Sequence, residues 1–324
     1  MNFGETEYEN VPDYILGITW QIWEDRDIAA LRRHYAPNII VRSPASVVIG
    51  NEHVISATMA TLAEFPDRTL LGEDVIWCDA PNNGILSSHR LISTATKSHP
   101  GLYGPASNQT LKYRIIADCH VANGVIDDEW IIRDQGAIVR QLEQTPQEYA
   151  RKLLTHEADI DHWVEPYSYA NDVVGPYTGF GNESEWAQAY ADIVQRIMNA
   201  EFNVVPKTYD RAVQLEYPGG VTAHSHSGVD QFWMGLRSSF PSAVFKVCHQ
   251  MGRNDKNMSP RAALRWTLSG KHDGWGAFGT PTAAEVFVMG ASHVEFGPRG
   301  VRREWVLIDE VSIWKQILNF SEII

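Results

Sequence analysis

One arrangement of residues occurs twice in this chain. Glu129-Trp130, Asp134 and Gln141 return with the same spacing as Glu304-Trp305, Asp309 and Gln316, 175 positions later. The same offset relates Phe65-Pro66 to Phe240-Pro241 and Arg90 to Arg265. Because one offset covers most of both halves, the chain is a tandem repeat of one module. We predict a first module over residues 1–145, a connecting helix and aromatic-rich linker over 146–183, and a second module over 184–324.

Composition and charge exclude several classes of function. At 324 residues the chain can form two domains, and its net charge of −13 argues against binding nucleic acid or anionic lipid. No window is apolar enough for a membrane span, and the acidic residues 1–7 predict no signal peptide. Cys78, Cys119 and Cys248 occupy non-equivalent repeat positions, which predicts neither a disulfide framework nor a metal set. We expect a cytoplasmic protein with reduced thiols.

The order of predicted elements is the same in both modules, with helices first and strands after them. This order favours an α+β fold in which helices cover one face of a curved antiparallel sheet. In the first module the predicted helices and strands fall near residues 11–24, 39–41, 54–65, 73–79, 86–96, 110–121 and 125–134. In the second they fall near 184–198, 212–217, 243–251, 261–269, 285–295 and 301–309. Trp163 and the four aromatic residues that follow it in the segment 159–182 predict that this segment packs against a module.

Asn123-Gly124 is a strong signal for a two-residue hairpin turn. The resulting register places Tyr113 opposite Asp134 and gives them an inward, mostly apolar face shared with Trp130 and Ile132. The second module would likewise place Trp305, Leu307 and Asp309 inward. Burial raises a carboxyl pKa and can prepare it for general acid/base catalysis, but each Asp could instead bind backbone N–H groups at the strand end.

The combined motifs resemble the SnoaL-like polyketide cyclases of the NTF2-like superfamily. The matches in the second module are Phe240-Pro241, residues 265–274 with the pattern Gly-x-His-x-Gly at their end, Gly279-Thr280-Pro281, and Glu304-Trp305 through Gln316. The resemblance implies two cone-shaped NTF2-like (cystatin-like) α+β barrels, each with an apolar pocket for a small organic ligand. It also implies acid/base chemistry without metal or cofactor, in which an Asp removes a proton next to a carbonyl and an aldol closure follows.

Carried over residue by residue, the resemblance implies catalytic roles for Asp309 with His272 and for Asp134. Tyr113 is a further catalytic candidate, because the predicted register places it opposite Asp134. The predicted substrate-binding residues are Trp305, Leu307, Trp130, Ile132, Arg265, Arg90 and His99. The first module departs from the pattern, since His99 is displaced by two positions and is followed by Pro100. Arg90 and Arg265 could bind an acidic substrate, although their presence in both copies favours a structural ion pair.

Two function classes follow. The first is a cyclase or isomerase acting on a small carbonyl compound, and the second is a module that binds an apolar ligand without turnover. Hydrolase or hydratase chemistry at the same carboxylate is a third, weaker alternative. His224 and His226 could bind a metal with a third ligand, but a polar loop is favoured. We further expect the modules to pair as an intramolecular pseudo-dimer, with further homo-oligomers as an open alternative.

Overall fold

The computed structural model describes residues 8–322. Residues 1–7, on which the signal-peptide prediction depends, lie outside the described residues. No helix within 8–322 is long and apolar enough to cross a membrane.

The first module follows the predicted order of helices and strands. Its helices are α1 (Val11–Trp23), α2 (Leu31–His34), α3 (Asn51–Glu64) and α4 (Gln135–Gln141), and α5 (Pro146–Asp159) follows them. Its strands are β1 (Tyr35–Ser43), β2 (Ser46–Ile49), β3 (Thr69–Ala80), β4 (Gly84–Thr96), β5 (Thr110–Ala122) and β6 (Val125–Arg133). Side chains fix the helix starts: Asn10 accepts the Asp13 N–H, and Thr145 with Glu148 forms a capping box.

The second module repeats the same elements. Its helices are α6 (Glu185–Met198), α7 (Val205–Thr208), α8 (Ser225–Ser239) and α9 (Glu310–Glu322). Its strands are β7 (Tyr209–Tyr217), β8 (Val221–His224), β9 (Val244–Arg253), β10 (Arg261–Lys271), β11 (Glu285–Gly297) and β12 (Gly300–Ile308). The loop interpretation of His224 and His226 is wrong, because His224 ends β8 and His226 lies in the first turn of α8.

Each module forms one six-stranded sheet, with the strand orders β2-β1-β6-β5-β4-β3 and β8-β7-β12-β11-β10-β9. The α+β fold class is confirmed. The sheets are mixed rather than purely antiparallel, because β1 pairs with β6 and β7 with β12 in parallel. Helices cover the inner face of each sheet. In α6, for example, Tyr190, Ile193, Val194 and Ile197 recur at helical spacing and are buried against the second sheet.

The predicted hairpin register holds for only two residue pairs beyond each turn. In the first module Val121 pairs with Ile126 but His120 pairs with Asp128, so Asp127 is an extra residue in a β-bulge. In the second module Arg302 is the extra residue between Val301 and Arg303. A shift of one residue moves every later side chain of a strand to the opposite face. The predicted faces of β6 and β12 are therefore wrong.

The outer faces of the two sheets contact each other. We call this contact surface the seam. Its buried apolar side chains are Ile76, Cys78, Leu86, Ile116, Trp130, Ile132, Met251, Ala263, Phe287, Met289, Ala291 and Leu307, with Tyr167 and Tyr177 from the linker. The segment 159–182 thus packs into the protein as predicted. The module boundaries after residues 145 and 183 remain predictions.

Candidate active site

The two aspartates that end the last strands cap the helices that follow. The Asp309 carboxylate accepts N–H groups from Val311 and Ser312 at the start of α9, at 2.9 and 3.1 Å. The Asp134 carboxylate accepts the Ala137 N–H of α4 at 2.9 Å, and also the Gly219 and Gly220 N–H groups of the second module. Burial outweighs these bonds, raising the pKa of Asp309 to about 7 and that of Asp134 to about 6.

The predicted partners of these aspartates bind elsewhere. His272 Nδ1 lies 3.1 Å from the Thr282 hydroxyl, and its Nε2 has no hydrogen-bond partner in the described part of the chain. The predicted pairing of Tyr113 with Asp134 is wrong, because the bulge shifts the register and Tyr113 accepts a hydrogen bond from Arg68 instead. His99 is exposed in the loop after β4.

Six of the predicted substrate-binding residues lie in the seam. Trp130, Ile132, Trp305 and Leu307 were predicted to be pocket walls, which is wrong because the bulges turn them to the outer faces. Arg90 stacks on Trp305 and forms an ion pair with Glu73, while Arg265 stacks on Trp130 and pairs with Asp118. Both arginines thus form the structural ion pairs that their presence in both copies favours.

The inner faces of the two sheets differ sharply in polarity. The 175-residue offset relates side chains that occupy the same place in each sheet. Polar residues of the first module correspond to apolar ones of the second in the pairs Ser87/Ala262, His89/Leu264, Ser93/Leu268, Tyr113/Val288, Arg133/Ile308, and, outside the strands, Arg68/Ala243 and Tyr103/Phe278. At these positions the interior of the first module is polar and that of the second is apolar.

Large aromatic rings fill the interior of the second module. The rings of Trp233 and Trp266 are fully buried with their centres 5.6 Å apart. The ring of Trp266 crosses Gly290, where an added Cβ would lie 2.2 Å from a ring atom. A smaller Leu91 and a larger Ile115 occupy the equivalent positions of the first module.

Glu304 is the one acidic residue on the inner face of β12, and three tyrosines surround it. The hydroxyls of Tyr190, Tyr209 and Tyr217 donate to its carboxylate at 2.9, 2.7 and 2.6 Å. Burial raises the Glu304 pKa, whereas these three bonds lower it. The group is closed and its acceptors are used, which is typical of a structural network.

Two arginines and a tyrosine form the main polar cluster inside the first module. Arg68 lies between α3 and β3, and its Nε donates to the Tyr113 hydroxyl at 2.9 Å and to the Ser93 hydroxyl at 3.2 Å. Arg133 enters the same interior from β6, opposite Ile115. Burial raises the Tyr113 pKa, but the charges of Arg68 and Arg133 outweigh it, so the pKa lies below its usual value. A tyrosine with a lowered pKa in a buried cluster is a candidate for proton exchange.

Glu129 and His89 lie deeper on the same inner face. Burial raises the Glu129 pKa to about 7, with a hydrogen bond from Tyr35 acting in the opposite direction. Burial lowers the His89 pKa to about 4, so this imidazole is neutral at pH 7. Of this interior, the sequence prediction included only Tyr113 as a site residue. Comparison of the two copies at the 175-residue offset is the signal that identifies Arg68, Arg133 and His89, since each has an apolar counterpart.

Within residues 8–322, no group of three or more His, Cys, Asp and Glu side chains is placed to hold a metal ion. The charge of Asp309 acts on Arg133 and on Tyr103 of the first module.

Comparison with known proteins identifies the first module. Residues 15–142 match the family described as SnoaL-like polyketide cyclase. Among solved structures, IdmH, a putative polyketide cyclase from Streptomyces antibioticus, is 21% identical with a TM-score of 0.36, over 41% of this chain and 98% of that chain. AclR, a putative hydroxylase from Streptomyces galilaeus, is 17% identical with a TM-score of 0.35, over 40% and 94% of the two chains.

A putative SnoaL-like polyketide cyclase from Jannaschia sp. CCS1 is 15% identical with a TM-score of 0.34, over 41% of this chain and 95% of that chain. No curated protein matches the chain. The first module of this chain is a SnoaL-like polyketide cyclase domain, and the second module repeats its α+β architecture.

Proposed function

We propose that the first module is a cofactor-independent acid/base enzyme of the polyketide-cyclase type, which cyclises or isomerises a small carbonyl compound. The observation that carries this proposal is the contrast between the two interiors. Tyr113, Arg68 and Arg133 surround one polar site, whereas Val288, Ala243 and Ile308 replace them in the second module. Buried charged groups are costly, so arginines and a tyrosine that occur at these positions in one copy alone favour a chemical role for that copy.

In the proposed reaction Tyr113 acts first as base and then as acid. Its phenolate oxygen takes a proton from the carbon next to a carbonyl, and the guanidinium groups stabilise the enolate that forms. The enolate carbon attacks a second carbonyl of the same molecule and forms the ring bond. Tyr113 then returns its proton to the new alkoxide, so no proton is gained or lost over the cycle.

Asp309 is the rival acid/base group. Its pKa of about 7 suits proton transfer at neutral pH, and its charge acts on Arg133 of the first module. Its two backbone hydrogen bonds give it a complete structural role as a helix cap. Asp134 has three such bonds, and His272 pairs with Thr282, so neither is assigned a chemical step here.

The second module serves in this proposal as the folded partner of the first. Its interior is filled by Trp233 and Trp266, and its outer face covers that of the first sheet. We propose that the fused pair is an intramolecular pseudo-dimer in which the linker holds the partner at high effective concentration. The cytoplasmic location and any further homo-oligomer remain predictions.

The alternative is a protein that binds an apolar ligand in the first module without turnover. The same interior supports it, because Tyr113 and the two arginines can hold a polar group of a ligand without chemistry. The hydrolase alternative loses its main support, since Arg90 and Arg265 stack on tryptophans in the seam rather than beside Asp134 or Asp309.

Proton abstraction can be tested without knowing the natural substrate. The experiment measures deuterium exchange at the carbon between the carbonyls of aryl 1,3-diketones in D2O by NMR. We expect the Tyr113→Phe variant to lose roughly 10²–10⁴-fold of the catalysed rate. Asp309→Asn should keep that rate, and Tyr169→Phe, which removes a half-exposed hydroxyl in the linker, is the matched control.

Two results would contradict the assignment. If Asp309→Asn abolishes exchange and Tyr113→Phe does not, the proton acceptor is Asp309. If the wild-type protein binds the diketones but exchanges them no faster than buffer, the binding alternative replaces the enzyme.

A further inference from the structure

We propose that Arg68 and Arg133 bind a carboxylate of the substrate, so that the first module acts on an aromatic or otherwise apolar keto acid rather than on its neutral ester. This inference rests on the proposed function at the same site and names its substrate class. The argument rests on two arginines whose side chains each have a buried, unused donor and no carboxylate within ion-pair distance in the described part of the chain.

Arg68 is fixed in place on three sides. Its Nε is used by Tyr113 and Ser93, and its guanidinium carbon lies 4.0 Å from the centre of the Trp23 ring. Only 1% of the residue is exposed, yet Nη1 has no hydrogen-bond partner among the described residues. Such a donor is costly to bury unless something binds it.

Arg133 supplies a second unused donor. Its Nε is buried and also lacks a partner within residues 8–322. Arg133 lies opposite Ile115 on the inner face, and its charge and that of Arg68 both act on Tyr113 and on each other. Arg133 as a whole is partly exposed, so one member of the cluster is accessible to solvent.

The acidic side chains near the two arginines have other bonding partners. In the described part of the chain, neither arginine has a carboxylate within ion-pair distance. Glu64 pairs with Lys97 at 2.8 Å, and the Asp309 oxygens accept backbone N–H groups. A buried Arg68 beside a second, partly buried arginine is unfavourable without an anion, since buried charges in proteins are usually paired.

A carboxylate fits this arrangement better than another anion. Guanidinium groups bind the two oxygens of a carboxylate in the plane of the fork, and Trp23 holds Arg68 in a defined orientation. Apolar neighbours on the same inner face, Leu91 and Ile115, suit the ring or chain of such an acid. Bound there, the acid would place its adjacent carbon beside the Tyr113 hydroxyl.

The test compares an acid with its own ester. Calorimetry measures the affinity of the full-length protein for 4-oxo-4-phenylbutanoic acid and for its methyl ester. We expect the acid to bind at least about tenfold more tightly, the equivalent of a single charge-assisted contact. Arg133→Met should remove this preference, and Arg133→Lys should restore only part of it. Arg299→Met, which removes a highly exposed arginine, is the matched control.

Equal affinity of the wild-type protein for acid and ester would overturn the inference, as would an acid preference that survives in Arg133→Met. If inorganic phosphate displaces the acid at equal concentration, the site binds anions in general and is not specific for a carboxylate. Failure here is distinguishable from failure of the proposed function. Tyr113-dependent exchange without an acid preference leaves the enzyme standing, and an Arg133-dependent acid preference without exchange leaves a binding site.

Discussion

The guanidinium carbon of Arg90 in the first sheet lies 3.6 Å from the centre of the Trp305 ring in the second. The reciprocal pair, Arg265 on Trp130, has a distance of 3.9 Å. All four residues belong to the repeated motifs, and each arginine contacts the tryptophan of the other module. The most recognisable residues of the repeat therefore hold the modules together.

Removal of either tryptophan should destabilise the whole chain. We expect Trp130→Ala and Trp305→Ala each to lower the free energy of unfolding by about 3–5 kcal/mol, because both rings are buried and support a stacked arginine. Urea unfolding measures the change. Trp275→Ala, at a ring that is mostly exposed, should cost little. Equal free energies of unfolding for all three variants would show that the two seam tryptophans do not contribute to stability.

The pKa of Asp309 predicts how stability depends on pH. Its folded-state pKa of about 7 lies above the unfolded value of about 4, so the folded protein binds more protons between these values. Stability from this group is fully present below pH 4 and is lost as the pH rises through 7, by about 4 kcal/mol at most.

In Asp309→Asn this contribution to the pH dependence should disappear, and since Asn also caps helices, the fold should persist. Unfolding at pH 5 and pH 8 checks the prediction. If the free energy of unfolding of the variant depends on pH as steeply as that of the wild type, other groups cause this dependence. Glu129 and Asp134 are two such groups, because their pKa values are also raised.

The tyrosine cluster around Glu304 should contribute to stability rather than to activity. Tyr217→Phe removes a 2.6 Å hydrogen bond to a buried carboxylate and should cost about 1–3 kcal/mol. Chemical unfolding measures the loss, and the deuterium-exchange rate per folded molecule should not change. A fall in that rate with no loss of stability would place catalysis in the second module instead.

Filling of the second interior predicts a compensating pair of substitutions. Gly290→Ala should destabilise the protein by about 1–3 kcal/mol, since the new methyl group overlaps the Trp266 ring. Trp266→Leu introduces the residue found at the equivalent position of the first module and removes that overlap. The double variant should therefore lose less than the sum of the two single variants. Additive losses would mean that the ring and the glycine do not constrain each other.

The sequence determined the repeat, the α+β class and the approximate bounds of the elements. Hydrophobic periodicity and turn residues are local signals, and Asn123-Gly124 does form the turn between β5 and β6. The contrast between polar and apolar interiors is also written in the sequence, at positions such as Tyr113 and Val288. It becomes visible only when the correct face of each strand is known.

Tertiary structure decided which side chains face inward. One bulge residue in each module, Asp127 and Arg302, shifts the strand pairing by one position and turns Trp130 and Trp305 from the interior to the seam. The choice between bulged and regular pairing depends on packing of both faces at once, which the turn sequence does not encode. For the same reason, the placement of Arg68, Arg133 and Tyr113 on one inner face follows from the folded sheet and from no spacing along the chain.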